Sequence, residues 1–257
     1  TKAAGGVGIS GSVAVNISNA VTQAHARLGQ NSSITNTVEV KADDGVDITG
    51  LSGAAGLTIN GGVAVAGAAS INTIVSDTDA ILNVAQSDED ADNQGNAFTP
   101  YDVSVMASNN GRINAVAIGV AVVAGIPDEE SQDSGPSVAA AGSFTYNSVR
   151  NDVFANISNS RIVLDEIPPS VTLDPDDDPA LKVISADAAE INAVAGALGI
   201  SAGNENNIAA VGASVAVNTI QNRTDASIDE SKISDSTSSG TSATEEESES
   251  IPPSKVL

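Results

Sequence analysis

Cysteine and tryptophan are missing from this 257-residue chain, and aromatic residues of all kinds make up 2% of it. Without cysteine there is no disulfide, no thiolate metal site and no cysteine nucleophile. That absence is compatible with an exported bacterial protein. Three Phe and two Tyr cannot anchor a wide core of bulky side chains. The apolar 41% is mostly Ala, Val and Ile, which suits a thin, flat interior where sheets lie close together. Basic residues are also scarce. Ten Lys and Arg stand against 33 Asp and Glu, a net charge of −23. This argues against nucleic acid or anionic membrane as a partner, because phosphate contacts need clustered cations. It fits solubility, cation binding or a salty environment. No uninterrupted apolar run reaches membrane-spanning length, and Thr1-Lys2 does not open a signal peptide.

What the chain has in quantity is repetition. GSVAVNISNAVTQA at 11–24 returns as GAASINTIVSDTDA at 67–80, GSFTYNSVRNDVFA at 142–155 and ASVAVNTIQNRTDA at 213–226. The copies align on Asn16, Asn72, Asn147 and Asn218, at spacings of 56, 75 and 71 residues. An Ala follows each at a fixed offset: Ala24, Ala80, Ala155 and Ala226. Gly11, Gly67 and Gly142 precede the Asn at a fixed offset too, with Ala213 in the last copy. A second element lies between anchors: VEVKADDGVDI at 38–48, VSVMASNNGRI at 103–113 and LKVISADAAEI at 181–191. It keeps apolar residues in register at Val38, Val40 and Ile48, at Val103, Val105 and Ile113, and at Leu181, Val183 and Ile191. An Ala/Gly/Val run then leads into the next anchor, as in INAVAIGVAVVAG and INAVAGALGISAG.

These elements read as strands. Val and Ile alternate at period two, and Gly, Asn, Asp and Ser punctuate their ends. Dense Gly and β-branched residues argue against helix in the Ala-rich runs. Those runs are apolar on both faces, so they are expected to be covered on both sides. Variation is confined to loops, among them SDEDADNQGNAFTP, DEIPPSVTLDPDDDP and an acidic run around Glu245, Glu246 and Glu247. A further insertion, IPDEESQDSGPS, precedes the third anchor. Loops at matching points of a repeat are expected on one face of a solenoid. The expected fold is all-β: a repetitive parallel β-helix or β-solenoid, with a stacked long-strand β-sandwich or β-fibre subunit as the alternative. The domain expectation is one continuous array over 1–257. Both ends cut through a repeat, so we expect a segment of a longer repetitive chain.

The strings GVAVAGAASINTIVSDTDAIL and GASVAVNTIQNRTDASI, followed by V-x-V-x-A and I-x-A-x-A-G, resemble repeats of giant bacterial surface and secreted proteins. Large leukotoxin-like and filamentous-haemagglutinin-like adhesins are the relatives they are most similar to. The resemblance spans nearly the whole chain and specifies architecture rather than activity. It implies a right-handed parallel β-helix or related solenoid, exported and displayed at the cell surface, with no catalytic residues to carry over.

Candidate sites are few. D-x-D-x-D strings at Asp88, Asp90 and Asp92 and at Asp174, Asp176 and Asp178 offer alternating oxygen ligands of the kind calcium takes. Neither has the Gly and distal Glu of an EF-hand, and a solvated acidic loop is the competing reading. No cofactor is expected unless it is calcium. Asn16, Asn72, Asn147 and Asn218 are read as a hydrogen-bonded ladder at a turn, relieving backbone groups that lack partners. Asn16, Asn31, Asn156 and Asn222 also open N-x-S/T tripeptides, which arise readily in such a composition. His25 is the lone histidine, with no second ligand to join it. GGVGISG at 5–11 mimics a dinucleotide fingerprint but lacks the following helix, so it reads as close-packed strand.

No catalytic constellation emerges, and a polysaccharide-acting β-helix enzyme is the weakest of the functional readings. The expected function is structural: a stalk, fibre or sheath segment of an extracellular bacterial adhesin. Self-assembly through strand edges into a filament is the alternative. Expected partners are neighbouring repeats, copies of itself, or surface and matrix ligands, without nucleic acid and without membrane insertion.

Overall fold

A computed structural model describes residues 6–29, 36–59, 61–85, 98–125, 137–165, 181–203 and 208–235. Each coil begins with a long strand: β1 (Gly6–Leu28), β4 (Gly62–Val84), β7 (Ser137–Ser158) and β11 (Ile208–Asp229). The chain returns through a short strand, β2 (Thr37–Asp44), β5 (Asp102–Asn109) or β9 (Leu181–Asp187). A bend follows, then β3 (Asp47–Ile59), β6 (Arg112–Ala124) or β10 (Glu190–Ala202). Two further strands, β8 (Arg161–Leu164) and β12 (Lys232–Asp235), extend the third and fourth long strands past residues with positive φ, Asn159 and Glu230.

Every pairing is parallel and joins equivalent parts of successive coils. The long strands form one sheet in the order β1-β4-β7-β11, with Asn16 opposite Asn72, Asn147 and Asn218 in turn. Val38 pairs with Val103 and Val103 with Leu181, and likewise Ile48 with Ile113 and Ile113 with Ile191. The molecule is therefore a parallel β-solenoid with a flattened coil. One layer is the long-strand sheet; the other is the β2-β5-β9 sheet and the β3-β6-β10 sheet, set end to end. Matching residues stack coil upon coil, which is why the repeat survives as sequence.

The two halves of the slab pack differently. Toward the C-terminal ends of the long strands, Leu82, Val84, Val153 and Ile157 meet Val40, Val103, Val105 and Phe98 in a core of full-sized side chains. Burying each such side chain contributes about 1.5–3 kcal/mol. Toward the N-terminal ends, Ala64, Ala66, Ala68, Ala139 and Ala141 face Ala54, Ala117 and Ala121. Here the layers almost touch. A Cβ added to Gly56 would lie 2.9 Å from the Val65 carbonyl oxygen, and one on Gly199 would lie 2.7 Å from that of Val211. Gly119 is blocked in the same way by the Gly142 carbonyl. The first half is a thick lobe and the second a thin one.

One expectation changes here. The Ala/Gly/Val runs are not covered on both sides: Ala, Gly and Ser make up most of the inward set, with Ile48, Ile113 and Val123 among them, and Leu51, Leu57, Ile118, Val194 and Leu198 turn out, exposed. The loop sequences SDEDADNQGNAFTP, DEIPPSVTLDPDDDP and IPDEESQDSGPS lie largely outside the described residues.

Candidate functional site

Asn16, Asn72, Asn147 and Asn218 stand near the middle of their strands, not at turns. Their side chains point inward and form a directional ladder. Asn16 Nδ2 donates to Asn72 Oδ1 at 2.8 Å, Asn72 Nδ2 to Asn147 Oδ1 at 2.8 Å, and Asn147 Nδ2 to Asn218 Oδ1 at 2.9 Å. Asn72 also donates to Ser70 Oγ at 3.1 Å. In the opposite layer Gly50 leaves the room these amides need, since a Cβ there would run into Asn72 and Ser70. An amide donates from its nitrogen and accepts at its oxygen, so a stacked column of amides satisfies itself along the slab.

The turn role belongs to other residues. Asp44, Asn109 and Asp187 stack at the bend between the short return strands and β3, β6 and β10. Asn109 Oδ1 accepts from the Gly111 N–H at 2.9 Å, and Asp187 Oδ1 from the Ala189 N–H at 3.0 Å. These are Asx turns, a side chain bonding the backbone two residues on. The long strands tie into them: Asn151 Nδ2 donates to Asn109 Oδ1 at 2.9 Å and to Asp187 Oδ2 at 2.7 Å. Asn109 donates to Ser76 Oγ at 2.7 Å, Ser76 Oγ to Asp44, and Asn222 to Asp187. This polar seam divides the thick lobe from the thin one. The signal was present in the sequence as Asp44-Gly45-Val46, Asn109-Asn110-Gly111 and Asp187-Ala188-Ala189 at one repeat position.

Charge respects the same boundary. Residues 6–20, 48–59, 61–76, 113–125, 137–149, 191–203 and 208–222 include no Asp, Glu, Lys or Arg. The thin lobe thus presents an uncharged skin on both outer faces. On the long-strand face it shows Val7, Ile9, Val13, Val15 and Ile17 of β1 and their counterparts, including Phe144 and Tyr146. On the other face stand Leu51, Leu57, Ile118, Val194 and Leu198. A groove of about 550 Å³ crosses the long strands along the row Gly11, Gly67, Gly142 and Ala213, bordered by Phe144. The thick lobe wears polar groups: Arg150 pairs with Asp152 at 3.6 Å, Arg223 with Asp225 at 3.5 Å, and Gln23 bonds Asp79 at 2.9 Å.

Asp77 lies on that polar face. Partial burial, then repulsion from Asp79 and Asp152, raises its carboxyl above the usual 3.8. A raised acid destabilises the fold when ionised, so its unfavourable contribution is fully present above the folded pKa. It fades as pH falls toward the unfolded value. Asp77→Asn is expected to raise the melting temperature at pH 7, with the difference shrinking through the acidic range in a series of melts.

The remaining candidates separate as follows. Asp88, Asp90, Asp92, Asp174, Asp176, Asp178 and the Glu245–Glu247 run lie outside the described residues, as does Asn31. Among the described residues no group of three or more His, Cys, Asp or Glu is placed to hold a metal. Asn16 is engaged in the ladder. Asn156 is buried, donating to Ser227 at 2.8 Å and to Asp229 at 2.6 Å, and Asn222 serves the seam. His25 points outward on β1, exposed. Gly6, Gly8 and Gly11 lie within β1, and a Cβ on Gly8 would stand 3.0 Å from the Leu57 carbonyl oxygen. No described helix is long and apolar enough to cross a membrane.

Together these features define the class: an all-β, parallel, small-residue solenoid with an uncharged thin lobe. Compared with protein-family models, with curated proteins and with solved structures, the chain matches none.

Proposed function

We propose that this chain is a structural segment of an extracellular bacterial surface protein, a rigid spacer in a stalk, fibre or sheath, and not an enzyme. The observation that carries the reading is the unbroken register of all four long strands, over which every coil presents the next with the same backbone edge and the same amide column. Such an edge-to-edge design extends along one axis, and resists shear because each coil is locked residue by residue. The uncharged residues run in rows along that axis, while the acidic loop sequences supply solubility.

Filament assembly through strand edges is the second reading, and the direction of the ladder favours it. The column runs donor to acceptor from Asn16 to Asn218, so a coil added beyond β11 meets an amide donor, and one added before β1 meets an amide oxygen. Electron microscopy of the purified chain separates the two. Short monodisperse rods support the spacer, and long unbranched polymers support the filament. Globular particles with helical circular dichroism would defeat both.

A further inference from the structure

The outward Gly row is not required by the fold. Gly56, Gly119 and Gly199 point inward, and each would collide with opposing backbone if it carried a Cβ. Gly67 would meet nothing within 4 Å, and Gly11 and Gly142 only a carbonyl oxygen at 3.9 Å. None of the three has positive φ. A glycine inside a strand weakens it, and in a straight strand without a bulge it often marks a place where another body approaches closely. Phe144 and Tyr146, two of the chain's five aromatic residues, stand beside this row on the outer face, 38% and 37% exposed. The row and its neighbours form a trough with apolar ridges, crossing four strands.

We propose that the thin-lobe face of the long-strand sheet binds the same face of a second copy of this chain, so that two solenoids lie side by side with parallel axes. The occupant follows from charge, area and shape. From Val7 to Ile17 the face is about 33 Å long, and four strands make it about 19 Å wide, roughly 600 Å². Paired with itself it buries about 1,200 Å², the lower bound of a stable specific interface. It also stands at the top of the 300–600 Å² that the largest apolar patch of a monomer commonly reaches. The face carries no charge, so two highly acidic chains can meet there without opposing like charges, while the Asp77, Asp152 and Asp225 side stays in water. Ridges and trough both run along the solenoid axis, so a ridge of one copy can enter the trough of the other over all four coils.

A lipid surface fits less well. The net charge of −23 is repelled by anionic leaflets. This pairing goes beyond the spacer role and does not depend on end-to-end extension, which would join copies without a size limit. Face pairing closes at two.

The test is sedimentation of the whole chain over a dilution series. The expected result is a reversible dimer, with the dimer dissociation constant raised at least about tenfold by Tyr146→Lys and by Gly67→Leu. The first puts a charge on a ridge and the second fills the trough, and neither side chain points inward. Should a variant fold poorly, thiol labelling of Val65→Cys and Asp77→Cys serves instead, because the chain has no other cysteine. Val65→Cys is expected to be shielded at dimer concentrations and reactive on dilution, with Asp77→Cys reactive throughout. A monomer at every concentration overturns the proposal. So do open-ended oligomers insensitive to both variants, and flotation of a monomer with neutral phosphatidylcholine vesicles.

Discussion

Gly119→Val is expected to lower the melting temperature by about 6–12 °C, whereas Gly67→Val, on a neighbouring strand, is expected to leave it unchanged or raise it. The two glycines look alike in sequence, each set among Ala and Val. They differ in which side of the slab they face. A Cβ on Gly119 runs into the Gly142 carbonyl and lies 3.3 Å from that of Ala66. Backbone of a central sheet cannot swing away like a side chain, so the layers must part and the Ala contacts around Ala117, Ala121 and Ala141 open together. Overpacking of this kind costs about 3 kcal/mol, at the upper end of the usual range. At about 2–4 °C per kcal/mol for a chain of this size, that is the predicted fall. Gly67 has open space, and exchanging strand glycine for valine gains up to about 1 kcal/mol of β preference. Melts by circular dichroism, run dilute so that association adds nothing, decide it. Equal losses at both positions would mean that the thin lobe is not a two-layer slab with Gly67 on its outside.

Register was legible in the sequence because a solenoid stacks like upon like. Aligning four strings on an asparagine predicts the Asn16-Asn72-Asn147-Asn218 pairing, and the V-x-V offsets predict the stacking of Val40, Val105 and Val183. Which face is inside was not legible. Alternation in GVAVAGAASI says that two sets of residues point oppositely, and the ordinary rule sends the larger set inward. Here the rule inverts. Gly56, Gly119 and Gly199 admit the opposite layer so closely that mostly Ala, Ser and Gly fit between, and Val65, Ile71 and Leu57 are left outside. That choice depends on the distance between layers, which no single strand encodes. The role of asparagine was misread for a related reason. Asn is common at turns and rare in strands, so composition points to the wrong position. Asn72 instead exploits a column of equivalent amides that exists only once coils have stacked. The residues that do turn the chain, Asn109 and Asp187, are identified by a backbone N–H two positions on.

The amide column gives the second large effect. Asn147 is fully buried and accepts from Asn72 while donating to Asn218. Asn147→Leu removes both bonds and leaves Asn218 Oδ1 without its donor, while Asn72 Nδ2 retains Ser70 Oγ at 3.1 Å. Asn218 is exposed, so its freed carbonyl oxygen turns to water; two lost bonds at about 0.5–1.5 kcal/mol each put the expected loss at about 1–3 kcal/mol, read as a lower denaturant midpoint. Asn16→Leu removes one bond at the half-buried end of the column, and is expected to cost about 1 kcal/mol or less. A graded series, with the interior positions Asn72 and Asn147 costing more than Asn16 and Asn218, follows from the column acting as a unit whose inner members have partners on both sides. Equal costs at all four positions would mean that each amide acts alone and the column adds nothing to the locking of coils. An Asn147→Asp exchange sharpens the test. The carboxylate still accepts from Asn72 but cannot donate to Asn218, so it breaks the column in one direction only. Its penalty at pH 7 should lessen as acid returns a proton to the carboxyl, restoring a donor at the one place where the slab demands it.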